Sequence, residues 1–75
     1  MLHGKFEIQR CVMLTRNNGY VIGLNRTEGA YTPWVTWWTN GDDSYYFGHY
    51  FREGDEAWKD FWERLSKECT RLANE

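Results

Sequence analysis

Two histidines, His3 and His49, and two cysteines, Cys11 and Cys69, are the side chains whose types could carry nucleophilic, acid–base or metal chemistry. Nucleophilic catalysis needs a Ser or Cys beside a base that a third group holds in place. The sequence sets neither a carboxylate nor a nucleophile next to His49, and His3 falls in a terminus expected to fray, so both read as structural. A zinc site built from His3, Cys11, His49 and Cys69 would gather four isolated ligands without the paired spacing such sites use. The cysteines form no C-x-x-C pair, and two reduced thiols in a cytoplasmic protein are the expected state. Turn chemistry accounts for Asp42 and Asp43, and helix capping for Asp55 and Glu56. The glycines lie in turns and strands, and none belongs to a phosphate loop opening a helix. No enzymatic activity, metal or cofactor is expected.

The remaining chemistry is aromatic. Five Trp, five Tyr and four Phe make up 19% of the 75 residues, too many for a disordered chain. A chain of this length buries only about 60 to 65% of its unfolded surface, which leaves room for one domain. Rings in excess of what that domain's core can use are then candidates for a binding surface.

The elements that position them fall into two halves. Over residues 5–15, Phe6, Ile8, Val12 and Leu14 share one parity, the period-two mark of a half-buried strand, with Arg10 as a break suited to a bulge. A three-residue turn with Gly19 left-handed would pair Leu14 with Ile22 and lead into a strand over 20–25. Pro33 suits the start of a strand over 34–39. Asn40-Gly41-Asp42-Asp43 then turns the chain into a fourth strand over 45–52, with Trp38 facing Tyr45 and Thr36 facing Phe47. Beyond Gly54, Trp58, Phe61, Trp62, Leu65, Cys69 and Leu72 recur at steps of three and four. That spacing predicts one amphipathic helix over 55–72, capped by Asp55. The fold class is α+β: a four-stranded antiparallel meander of two hairpins, with the C-terminal helix packed on one face.

One helix covers one face. Phe47 and Phe51 carry no polar atom and are assigned inside, whereas Tyr46 and Tyr50 have hydroxyls that prefer water or a partner. The outward face therefore holds Trp37, Tyr46 and Tyr50, with Gly23 and Gly48 as notches and Arg52 and Tyr31 nearby. Cross-strand aromatic pairs would stabilise a small sheet by about 0.2 to 1 kcal/mol each, and the same rings would form an interaction surface. A protein partner or a homodimer through this face satisfies the pattern equally.

Charge bounds the other partners. Residues 1–40 carry four basic side chains against two acidic ones, and residues 41–75 five against nine, so the net charge of -2 is +2 in one part and -4 in the other. Overall acidity opposes general nucleic-acid affinity. Single-stranded nucleic acid stacking on Trp and Tyr with Arg10, Arg16, Arg26 and Arg52 alongside is the alternative partner. The longest apolar run, Cys11 to Leu14, is far short of the roughly 20 residues of a membrane span, and no secretory leader is expected.

The segments Pro33-Trp34-Val35-Thr36-Trp37, Tyr45-Tyr46-Phe47-Gly48-His49-Tyr50-Phe51 and Asp60-Phe61-Trp62-Glu63-Arg64 resemble those of small uncharacterised proteins carried by bacterial plasmids, phages and conjugative elements. The resemblance covers residues 20–65. It implies a cytoplasmic accessory protein that binds a host or element-encoded factor, and it carries no catalytic residue.

Overall fold

The computed structural model describes all 75 residues. Strands β1 (Leu2–His3), β2 (Phe6–Thr15), β3 (Asn18–Leu24), β4 (Trp34–Thr39) and β5 (Tyr45–Phe51) precede helix α1 (Gly54–Ala73). The strands form one antiparallel sheet in chain order, five strands where four were expected. The extra strand arises at the N-terminus. Gly4, at φ 59°, supplies the left-handed turn that folds Leu2 and His3 back onto Glu7 and Phe6. His3 is thereby ordered: its ring lies 4.2 Å from Tyr45 and 5.4 Å from Trp37.

Bulges set which residues share a face. The β2–β3 hairpin turns at residues 16–17, pairing Thr15 with Asn18, Val12 with Tyr20 and Cys11 with Val21. The expected pairing of Leu14 with Ile22 does not form, and Gly19 lies within β3 rather than in a left-handed turn. A Cβ on Gly19 would stand 2.5 Å from the Val12 carbonyl oxygen, so close backbone approach explains the glycine. The register shifts between Ile8 and Arg10, beside the expected break. One extra residue there reverses the parity of the strand, because side chains alternate with period two. Phe6 and Ile8 consequently pack on one face, Val12 and Leu14 on the other.

A second parity change occurs in β5. Thr36 pairs with His49 and Trp38 with Tyr46, leaving Phe47 and Gly48 opposite Trp37 alone. The expected pairs Trp38–Tyr45 and Thr36–Phe47 are displaced. Phe47 adopts φ 56° and is 74% exposed instead of lying in the core.

Helix α1 buries Ala57, Phe61 and Leu65, one residue per turn, over β3, β4 and β5. Glu53 occupies the N-cap without a side-chain hydrogen bond. Asp55, expected there, lies inside the first turn, where with Glu56 it complements the helix dipole. Gly54 admits the Trp34 indole, 2.8 Å from where a Cβ would be. Two small cores result. Ile22, Ala57, Phe61 and Leu65 fill the helix side, while Val21, Val35 and Trp37 lie on the face that no helix covers.

Candidate binding surface

Trp37 lies flat on the open face between two glycines. A Cβ on Gly23 or Gly48 would come within 3.2 Å of its indole, so both act as the notches expected of them. Tyr45 stacks on it at 5.2 Å and 26°, Phe6 meets it edge-on at 5.2 Å and 85°, and His3 closes a third side. Only 7% of Trp37 stays exposed. The outward contact expected from sequence is therefore the floor of the face. Phe6, Tyr45 and His3 supply the cover, although uniform parity expects Phe6 and Tyr45 on the other face and His3 is expected in a frayed terminus.

Beside that floor, Tyr31, Tyr50 and Arg52 come together. Pro33 begins the approach to β4, and its carbonyl accepts from the Asn25 amide at 2.7 Å. The Asn25 side chain in turn accepts from the Thr27 amide at 3.0 Å, which anchors the loop that presents Tyr31. The Arg52 guanidinium lies 5.0 Å over the Tyr31 ring. Tyr31 and Tyr50, 75% and 54% exposed, line a depression of about 370 Å³ with Phe6, Lys5 and Thr32. Lys5 and Arg52 make this corner cationic. Arg26 is engaged instead by Glu7 at 3.2 Å, and together with Gln9 it holds the Glu7 carboxyl below the usual carboxylate range.

Tyr46 does not join this group. Reversed by the β5 bulge, it sits on the helix face at the sheet edge, with Trp38 at 5.6 Å and Phe47 at 6.3 Å. Phe47 is an exposed ring that sequence reasoning missed. Its signal was the unbroken run Tyr45 to Phe51, in which no period-two alternation separates the two faces.

His49 has a partner that sequence spacing did not reveal. Its Nδ1 lies 3.1 Å from Asp60 Oδ2 on α1. The buried Thr36 hydroxyl donates to the same carboxylate oxygen at 2.6 Å and accepts from Arg64 at 3.0 Å. Arg64 also stands 4.9 Å from the Tyr20 ring centroid. Each member of this cluster binds another, and the cluster ties α1 to β3, β4 and β5. None of the three surface depressions reaches His49. The largest, an open polar one of about 610 Å³ near Trp38, is likewise internally bonded. Asn18 accepts from Trp38 Nε1 at 2.8 Å and donates to Glu68 at 2.7 Å, and Glu68 accepts from Arg71. Arg71 and then Asn18 hold the Glu68 carboxyl below its usual range, and Glu68 raises Arg71 in return.

Both cysteines are free and exposed, and partial burial pushes the Cys11 thiol up. No three His, Cys, Asp or Glu side chains converge as metal ligands. No helix is long and apolar enough to cross a membrane. No protein-family profile, curated protein or solved structure matches the chain.

Proposed function

We propose that the chain is a non-enzymatic binding module that takes a protein partner at the Tyr31, Tyr50 and Arg52 corner of its open face. The observation that carries this reading is one depression lined by two exposed tyrosines with Phe6 and Lys5, beside which Arg52 stacks on the Tyr31 ring. Tyr and Arg are among the residue types enriched at binding hot spots. Stacking of Arg52 on Tyr31 holds two mobile side chains before a partner arrives, which lowers the entropy lost on binding. Lys5 and Arg52 suit a partner segment bearing a carboxylate beside an apolar side chain. The resemblance over residues 20–65 supports service in a bacterial mobile element, in the cytoplasm.

A second reading, single-stranded nucleic acid, is favoured by the same cations beside stackable rings. Capture from the bacterial host with wild type and with Tyr31→Ala/Tyr50→Ala, read by quantitative mass spectrometry, tests the first. Partners retained by wild type and lost from the variant are expected, whereas an identical set from both removes the reading. Labelled single strands at low salt test the second. Affinity falling steeply with salt would support it, and no shift at low salt would dismiss it.

A further inference from the structure

The β2 edge of the sheet is open over most of its length. Strand β1 covers only Phe6 and Glu7, and the Met1 carbonyl accepts from the Ile8 amide, so no strand lies beyond β2 from residue 9 to residue 15. Seven extended residues span about 23 Å. Such an edge presents N–H and C=O groups ready to pair with another chain, unless prolines, lysines or bulges block it. This segment has no proline and no lysine, and Arg10 is its one charge. Its bulges bracket a regular stretch from Arg10 to Met13. At the other edge, the Phe47 bulge falls in the middle of β5.

Both layers are also unfinished on this side. Because α1 lies over β3, β4 and β5, Val12 and Leu14 stay half-buried. Asp60 and Arg64 put one flank of α1 against Thr36 and His49. At about 100° per residue, Trp58 and Trp62 lie on the opposite flank, toward β2, where Trp62 is 49% exposed. On the open face, Met1, Cys11 and Met13 form the β2 side of a depression of about 260 Å³ that runs across to Thr39, Tyr45 and the turn at Gly41 and Asp43.

We propose that this edge is an interface between two copies of the chain, β2 pairing antiparallel with β2 about a twofold axis perpendicular to the sheet. An antiparallel edge matches its own twofold image, donor to acceptor, and such an axis keeps each face on its own side. With the axis through Val12, Cys11 stands opposite the partner's Met13 on the open face. Val12 meets its own symmetry mate below the exposed flank of α1. A second copy fits better than a foreign strand because one surface supplies both the unpaired backbone and the apolar cover on both faces. An edge this short makes a small interface, so the dimer dissociates at micromolar concentration. It involves none of Tyr31, Tyr50 and Arg52, and it stands or falls apart from the partner proposed for that corner.

Sedimentation velocity from about 5 to about 500 µM reads the association, with a shift from monomer to twice the monomer mass expected. Over the same range, the slowest-exchanging of the Arg10 to Met13 amides should slow by about tenfold or more. Cys11→Lys with Met13→Lys, at two positions exposed in the monomer, should abolish the dimer with an unchanged far-UV spectrum. Tyr31→Ala with Tyr50→Ala should leave it intact. A protein still monomeric at the highest concentration, exchange independent of concentration, or loss of the dimer only in the tyrosine variant overturns the interface.

Discussion

Replacing Phe47 separates backbone strain from burial at one residue. A non-glycine residue near φ 56° costs about 1 to 2 kcal/mol relative to the right-handed region. Phe47 is 74% exposed, so its ring buries only about a quarter of a surface of roughly 200 Å², worth about 1.3 kcal/mol at 25 cal/mol per Å². Phe47→Ala loses that burial and keeps the strain, and should destabilise by about 1 to 1.5 kcal/mol. Phe47→Gly loses the same burial and relieves the strain, against a larger unfolded-state entropy of about 0.5 to 1 kcal/mol. It should therefore be more stable than Phe47→Ala by up to about 1.5 kcal/mol. Urea unfolding followed by tryptophan fluorescence resolves this, because at a slope near 1 kcal/mol per M the two midpoints differ by up to about 1.5 M. A glycine variant less stable than the alanine variant would refute the left-handed bulge. A loss above about 3 kcal/mol for alanine would return Phe47 to a core, as uniform strand alternation expects.

Trp37→Ala should cost about 3 to 5 kcal/mol in the same assay, because the indole is buried under Tyr45, Phe6 and His3; a loss below about 1 kcal/mol would make it a surface residue. Thr36→Val removes a fully buried hydroxyl shared by Asp60 and Arg64, and should destabilise by about 1 to 3 kcal/mol, measured by urea midpoint. Glu68 is held below its ordinary value of 4.5, so its contribution is complete above that value and lost as pH falls through the lowered one. In thermal melts from pH 6 down to about pH 3, Glu68→Gln should lose less stability than wild type.

The two halves of the fold, the helix and four of the strands were legible because their periodicities are regular and long. The helix needed only Trp58, Phe61, Trp62, Leu65, Cys69 and Leu72 at steps of three and four, although the residues it buries are Ala57, Phe61 and Leu65. What escaped sequence reading was parity. A bulge adds one residue without changing composition, and each one moves every later side chain to the other face. The break at Arg10 was visible as an oddity, yet it took the register of β3 to show that Phe6 and Ile8 part company with Val12 and Leu14. The β5 bulge sits in seven consecutive residues with no alternation to violate, so Tyr45 and Tyr46 exchanged faces unannounced. Of the residues expected at the outward face, Tyr31, Tyr50 and Arg52 stand near one another, while Trp37 lies beneath the surface and Tyr46 on the helix face. The pairing of His49 with Asp60 spans strand and helix, a separation that local spacing does not encode.

The central claim is that the Tyr31, Tyr50 and Arg52 corner carries the binding energy. Titration calorimetry of the captured partner against wild type, Tyr31→Ala, Tyr50→Ala, Arg52→Ala and Phe47→Gly measures it directly. Loss of about 2 kcal/mol, roughly 30-fold in affinity, is expected for at least one corner substitution, with Phe47→Gly within about twofold of wild type. Unchanged affinity in all three corner variants, with their folds intact, would contradict it.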